Sequence, residues 1–321
     1  MRIAVLIPCF NEEAAIEGVV RDFSASLPGA AIYVYDNNST DRTRWAAERA
    51  GAVVRDEPRQ GKGNVVCRMF ADVDADIYVL VDGDGTYDAT SAPAMIERLL
   101  AERLDLINGA RVATNPSAYP AGHRLGNRVL TGLVARIFGD RFSDMLSGYK
   151  VFSRRFVKSY PALTSGFEIE TALTVHALEL RMPTGELPTP YKERPQGSAS
   201  KLRTFRDGFR ILWTILRLVE EERPLQLFGL ISLLFAVVSL ILIYPVVVTY
   251  LETGLVPRIP TAVLSASLMV LACLSLVSGL IIDMVTQGRR EAKRLCYLAL
   301  PAPPTSGLPA AERISMDRAV P

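Results

Sequence analysis

Histidine is almost absent. His123 and His176 are the only two in 321 residues. They lie far apart in the chain, and His176 falls in a helical run where packing accounts for it. No Ser-His-Asp or Cys-His arrangement can be assembled, so hydrolysis through a covalent intermediate has no support. Cysteine is sparse as well. Cys9, Cys67, Cys273 and Cys296 show neither paired nor metal-ligand spacing, which argues against a disulfide framework and suits a reducing cytosolic face. An excess of one charge is also lacking: Lys+Arg 36 against Asp+Glu 34 argues against a nucleic-acid partner. A secretory signal is not expected either, because the first apolar stretch, Ile3 to Ile7, runs straight into Pro8. Gly61-Lys62-Gly63 lacks the G-x-x-x-x-G-K-[ST] frame of a P-loop, leaving Lys62 as either a phosphate-reaching or a solvated loop lysine.

What is present is organised around Ile77-Tyr78-Val79-Leu80-Val81-Asp82-Gly83-Asp84-Gly85. The apolar run reads as a buried strand that stops at two carboxylates. Side chains alternate along extended chain, so Asp82 and Asp84 are expected to point the same way. Two bare carboxylates about 5 Å apart repel by roughly 3 kcal/mol at an effective dielectric of 20. A hard cation such as Mg²⁺ or Mn²⁺ between them and a phosphate ligand would remove that cost. Asp and Gly also form solvated turns, and the local sequence fits both readings.

From Met1 to about Leu106, short apolar runs alternate with helical stretches. Ile3–Ile7, Ala31–Tyr35, Ala52–Val54, Ile77–Val81 and Leu104–Ile107 are the expected strands. Glu12–Leu27, Asp41–Ala50, Gly63–Asp72 and Ser91–Glu102 are the expected helices, followed by His123–Phe138 and a helix opened by Gly166–Glu170. This alternation predicts an α/β fold: a Rossmann-like, mostly parallel sheet with helices on both faces. Ligands of such sheets bind beyond the carboxyl ends of the strands. Polar clusters fall there: Pro8 to Glu13, Asp36 to Asp41, Asp82 to Asp84 and Asn108 to Arg111. Asp36 at a strand end suits a ribose hydroxyl or a base N–H, or else a turn cap.

The C-terminal part differs. Between Arg194 and Arg223, Lys201, Arg203, Arg206, Arg210 and Arg217 interleave with apolar residues, as in an amphipathic helix at a membrane interface or one packed on the domain. Leu225–Leu251 and Thr261–Val285 exceed the ~20 residues needed to span about 30 Å of hydrocarbon. The loop between them carries Arg258 alone, whereas Arg217, Arg223, Arg289, Arg290, Lys293 and Arg294 flank the pair. The positive-inside rule then predicts a hairpin with both ends in the cytoplasm. The expected organisation is a catalytic domain over 1–200, an amphipathic segment over 201–223, two transmembrane helices over 225–286, and a disordered cytoplasmic tail over 287–321. The localisation implied is the inner (cytoplasmic) membrane, multi-pass.

Six motifs occur in order: Ile7-Pro8-Cys9-Phe10-Asn11-Glu12-Glu13, Asp36-Asn37-Asn38-Ser39-Thr40-Asp41, Asp82-Gly83-Asp84, Gly109-Ala110-Arg111, Asp144-Met145-Leu146-Ser147-Gly148-Tyr149-Lys150, and Arg194 through Gly197 to Ser200-Lys201-Leu202. With them the chain resembles, over nearly its whole length, a family 2 glycosyltransferase of the GT-A fold. The branch is that of polyprenyl-phosphate glycosyltransferases, which holds dolichyl-phosphate mannose synthases and undecaprenyl-phosphate glucosyltransferases. The resemblance implies that Pro8, Phe10, Glu12 and Asp36 hold the nucleoside, and that Asp82, Gly83 and Asp84 face the donor diphosphate. Asp82 and Asp84 would carry its Mg²⁺ or Mn²⁺. Arg111, Arg128, Lys150, Arg194 and Lys201 match positions of phosphate-facing charge, and Asp144 matches an acid near the reacting centre. Asp84, Asp144 and Arg128 are the implied catalytic residues. Three departures stand out: Asp36-Asn37-Asn38 replaces the commoner Asp-Asp-Gly, Lys150 stands where arginine is frequent, and Ser198-Ala199 lengthens the approach to Lys201.

The implied reaction is inverting transfer of a hexosyl unit from a nucleotide-diphosphate sugar to a polyprenyl phosphate, with a homo-oligomer left open. Two other readings compete: a family 2 enzyme acting on a diacylglycerol or polysaccharide, and a non-catalytic scaffold that binds nucleotide sugar.

Overall fold

The structure, a computed structural model, describes residues 1–113, 142–161, 169–192 and 224–303. The chain divides into two compact units, one of Met1–Gly208 with Lys293–Pro321 and the other of Phe209–Ala292.

In the first unit seven strands form one sheet. They are β1 (Ile3–Cys9), β2 (Ala31–Asp36), β3 (Val53–Asp56), β4 (Ile77–Leu80), β5 (Leu106–Ala113), β6 (Lys150–Ser153) and β7 (Thr184–Tyr191), in the order β3-β2-β1-β4-β6-β5-β7. β3, β2, β1 and β4 are parallel. β6 runs antiparallel to both β4 and β5, and β7 is parallel to β5. The expected mostly parallel sheet is present, with an antiparallel strand that the apolar pattern did not single out. Ala4 to Cys9 of β1 are all buried, as a strand covered on both faces requires.

The helices of this unit are α1 (Ile16–Ser26), α2 (Thr43–Arg49), α3 (Lys62–Asp72), α4 (Ala92–Ala101), α5 (Arg154–Ser159) and α6 (Ile169–Glu179). α1 forms because Ile16, Val19, Val20 and Phe23 recur at helical spacing and bury one stripe against the sheet. Burying a side chain of this size contributes about 1.5–3 kcal/mol, so Phe23→Ala would strip the helix of its anchor. His176 is a core residue, as its helical surroundings suggested. It lies edge-on between Phe156 and Tyr160, its Nε2 is 3.1 Å from Ser159 Oγ, and burial pushes its pKa down to about 3. The cysteines form no disulfide.

The second unit holds α7 (Pro224–Thr253) and most of α8 (Ile259–Leu298), both long and apolar enough to cross a membrane. At 1.5 Å per residue they measure roughly 45 and 60 Å. α7 ends at Gly254, whose φ of 71° is left-handed and whose N–H bonds Tyr250 O. Within the pair, small residues of α8 recur every seventh position, at Ser265, Ala272, Gly279 and Thr286, and are buried. Close approach needs them: a Cβ on Gly279 would stand 2.7 Å from Phe228 Cβ. Ser239 donates to Ser265 O at 2.8 Å, and Ser232 to Ala272 O at 2.8 Å. Small residues and hydroxyl bonds are what joins helices where water gives no hydrophobic drive.

α8 continues beyond residue 286, where a disordered tail was expected. Its end belongs to the first unit. There Lys293 bonds Glu179 at 2.6 Å, and Tyr297 Oη donates to Asp105 Oδ2 at 2.7 Å. Asp105, fully buried, also takes both arms of Arg155 and the hydroxyl of Ser153. These ion pairs and hydrogen bonds extend the helix to Leu298. The expected amphipathic segment over 201–223 and the tail from 304 lie outside the described residues.

Candidate active site

The carboxyl ends of β2, β1 and β4 stand side by side, and their loops are tied to each other. Asn11, at a left-handed φ of 52°, donates its N–H to Ser39 Oγ and accepts from Thr40 N at 2.7 Å. The N–H of Glu12 bonds Thr43 Oγ1, that of Glu13 bonds Asp41, and that of Arg42 bonds Glu13. Pro8 lies near the end of β1, paired with Tyr35, and Phe10 opens the loop after it.

Asp36 ends β2 opposite Cys9. Its Oδ2 accepts from Ser39 N, whereas Oδ1 is buried with no hydrogen-bond partner among the described residues. An orphaned buried carboxylate oxygen carries a desolvation cost that a donor would relieve. The two residues after it explain their departure from Asp-Asp-Gly. Asn37 donates to the carbonyls of Glu57 and Arg59 and accepts from Gly61 N, a set that no acceptor-only carboxylate could satisfy. Asn38 has φ 64°, where asparagine is tolerated in place of glycine, and its amide bonds Pro58 O.

β4 ends at Leu80, so Asp82 stands just past the strand and Gly83-Asp84 form a turn. The alternation that would aim both acids one way therefore does not apply. Asp84 is buried, and its Oδ1 accepts from Thr86 N and Oγ1 at 3.1 and 2.6 Å. Gly83 lies over Cys9, where a Cβ would come within 2.5 Å of the thiol sulfur. Asp82 is more open and accepts Lys62 Nζ at 2.5 Å. The same ammonium is bonded to Glu170 at the start of α6. Lys62 is thus neither solvated nor free. Burial alone would lower its pKa, but the carboxylates of Asp82 and Glu170 outweigh burial and raise it. Glycine at 148 is required here, because a Cβ there would collide with the Asp82 carboxylate. Gly148 N–H bonds Tyr87 Oη at 2.7 Å.

On the other side of β4, Arg111 grips Asp144 with both arms, Nε at 2.7 Å and Nη2 at 2.8 Å, while its N–H makes a third bond at 3.2 Å. Burial opposes ionisation of Asp144, yet these bonds and the guanidinium charge hold its carboxyl below the usual range. Lys150, expected among the phosphate-facing cations, is fully buried in β6. Its Nζ donates to Asn108 Oδ1 at 2.5 Å, and burial pushes its pKa down to about 8. It is a strut beneath the site. Asn108 falls in one of the expected polar clusters, whereas Glu170 and Glu186 escaped the sequence reading as site residues, because each meets its partner only across 42 to 108 positions of chain. Arg128, Arg194 and Lys201 lie outside the described residues.

Among the described residues no group of three or more His, Cys, Asp or Glu could hold a metal by itself. Asp82 and Asp84 remain suitable in kind: Mg²⁺ is commonly bound by one or two carboxylates together with a ligand's phosphates.

The chain has matches among known proteins. The profile described as Glycosyl transferase family 2 covers residues 4–160. The glycosyltransferase AglJ of Haloferax volcanii is 37% identical over 229 residues, 71% of this chain and 75% of that protein. A dolichyl-phosphate hexose transferase of the same organism is 28% identical over 221 residues, 69% of this chain and 95% of that protein. Among solved structures, glucosyl-3-phosphoglycerate synthase from Mycobacterium tuberculosis, in complex with Mn²⁺, UDP-glucose and phosphoglyceric acid, superposes with a TM-score of 0.55 at 24% identity. That match covers 69% of this chain and 79% of the synthase. The fold is a GT-A-like α/β fold. The chain belongs to glycosyl transferase family 2.

Proposed function

We propose that this glycosyltransferase moves a hexosyl unit from a nucleotide-diphosphate sugar to a polyprenyl phosphate at the cytoplasmic face of a membrane. The observation that carries the reading is the spacing of acids along the sheet. β1 lies between β2 and β4, so at about 4.8 Å per strand the bare oxygen of Asp36 and the Asp82–Asp84 turn are separated by roughly 10 Å. That span suits a nucleoside at one end and its diphosphate at the other. The structural neighbour crystallised with UDP-glucose and Mn²⁺ supports the donor, and the relative named for dolichyl phosphate supports the acceptor. The two long apolar helices give a lipid acceptor a surface to share.

Asp36 would accept from the ribose or base, with Pro8, Phe10 and Glu12 closing that end. Asp82, Gly83 and Asp84 would face the diphosphate. Mg²⁺ or Mn²⁺ held there by Asp82 and Asp84 supplies charge neutralisation to the leaving group. Lys62 is a ready counter-charge on the same carboxylate. The acceptor phosphate, with a second pKa near 6, is largely dianionic at neutral pH and needs little deprotonation. Asp144, held ionised by the arms of Arg111, therefore orients the acceptor side more than it removes a proton. Arg128, Arg194 and Lys201 are proposed to draw in the lipid phosphate. Attack opposite the leaving group inverts the anomeric centre, so an α-linked donor gives a β-linked lipid.

The test is a donor panel of UDP-glucose, GDP-mannose and UDP-N-acetylglucosamine with undecaprenyl phosphate and Mg²⁺ or Mn²⁺, the glycolipid being identified by mass. One donor should yield a hexosyl-phosphoryl-undecaprenol. Transfer to diacylglycerol and none to undecaprenyl phosphate would overturn the acceptor.

A further inference from the structure

The loop from Phe142 to Tyr149 carries Asp144 and lies between β5, β6 and β7. Its backbone is held by one carboxylate that no motif singles out. Glu186 of β7 accepts from Ser143 N at 2.8 Å through Oε2. Through Oε1 it accepts from Asn108 Nδ2 at 2.7 Å and from Asp144 N at 3.3 Å. Asn108 of β5 spends its second amide hydrogen on Asp144 O at 2.7 Å, and its Oδ1 accepts from Lys150 of β6.

We propose that Glu186 is a positioning residue of the transfer site: its carboxylate clamps the backbone of the Asp144 loop, and Asn108 and Lys150 hold that clamp in register. The inference rests on the reading of Asp144 as an acceptor-side residue.

The chemistry of the groups requires a carboxylate at this point. Three N–H donors converge on Glu186, and only an acceptor-only side chain meets all three without presenting a hydrogen of its own. The amide of Asn108 is oriented by the same logic. Its nitrogen faces two acceptors and its oxygen faces an ammonium, so Lys150 fixes which way Asn108 points and Asn108 fixes Glu186. The side chain of Asp144 is held separately, by Arg111. Backbone and carboxylate are thus restrained by different elements, Glu186 of β7 and Arg111 of β5, which leaves Asp144 little freedom to shift. A misplacement of about 1 Å at a reacting centre is costly, and this double restraint limits it. The neighbouring charges are arranged to support it: Asp144, Glu170 and Glu186 surround Lys150, with Arg111 beyond Asp144.

The test uses Glu186→Gln in the full chain in detergent, where the new amide hydrogens face donors. Turnover is followed with the three nucleotide sugars named above and undecaprenyl phosphate. Glu186→Gln is expected to lower kcat about tenfold with the donor KM within about twofold. Hydrogen exchange should quicken in peptides covering residues 142–149 and stay unchanged in β1 and β4. Unchanged kcat with unchanged loop exchange would overturn the clamp. So would faster exchange throughout the sheet, since that marks a purely structural role. If the unmodified chain turns over none of the pairs, the acceptor reading fails, while loop exchange still decides the clamp.

Discussion

The two halves of the sheet build their parts of the site by different means. Along β3-β2-β1-β4 the strands are parallel and functional groups come from the loop that follows each strand. Two of the acids there are bonded within their own turn, Asp36 with Ser39 and Asp84 with Thr86, and the loops are tied to the one beside them. Along β6-β5-β7 the groups pair across long separations, Arg111 with Asp144 and Asn108 with Glu186. The parallel half offers acids with coordination to spare, one oxygen of Asp36 bare and Asp82 partly open beside Lys62. The mixed half offers an acid already gripped by a cation. In the proposed reading the first half receives positive charge or N–H groups from a ligand, and the second holds its own geometry.

The largest effect should come from Asp84→Asn in the parallel half. Asparagine can keep the Thr86 bonds through its carbonyl oxygen, so expression and membrane insertion should persist. Turnover should fall by about 10²-fold or more, as losses of transition-state charge stabilisation do. Near-normal glycolipid formation by this variant would sink the metal assignment and erase the contrast between the halves.

Arg111→Met tests the mixed half and should act on stability as well as rate. Breaking a buried pair leaves an uncompensated carboxylate and costs roughly 3–5 kcal/mol. The sign with pH follows from the lowered pKa of Asp144. A depressed carboxylate contributes stability that is fully present above its unfolded value, near 4, and is lost as pH falls through the lower folded value. The deficit of Arg111→Met relative to the unmodified chain should thus be greatest at neutral pH and shrink on acidification. Thermal unfolding of both chains at about pH 7 and about pH 3 checks this; a deficit that does not change would show that Asp144 is not held ionised by Arg111.

The smallest effect is expected at Asn38, which sharpens how local the parallel half is. With φ at 64°, Asn38→Ala should cost about 1 kcal/mol and Asn38→Gly less. The melting temperatures of the two variants order them, and alanine as the better tolerated would refute the backbone explanation.

Much of this architecture is legible in the sequence. The alternation of apolar runs and helical stretches leads to the parallel strands, and polar residues clustering at the ends of those strands mark the candidate site. The antiparallel β6 escapes notice because Lys150 opens it, and a fully buried lysine looks like a surface residue in a sequence. Period-two alternation loses its basis at Asp82 and Asp84 for a related reason. It holds only while the chain stays extended, and here the strand ends at Leu80 with Gly83-Asp84 in a turn.

By itself the sequence determined the sheet's parallel half, the two long apolar helices and the acids after β2 and β4. Those features depend on local spacing, the one kind of information a linear pattern carries. Only the tertiary structure decided that Lys62 spans Asp82 and Glu170, that Arg111 holds Asp144, and that Glu186 and Lys150 anchor the loop from two different strands. These pairs are made by strand order and burial, and charges separated by tens of residues find one another only where the low-polarity interior leaves them no water.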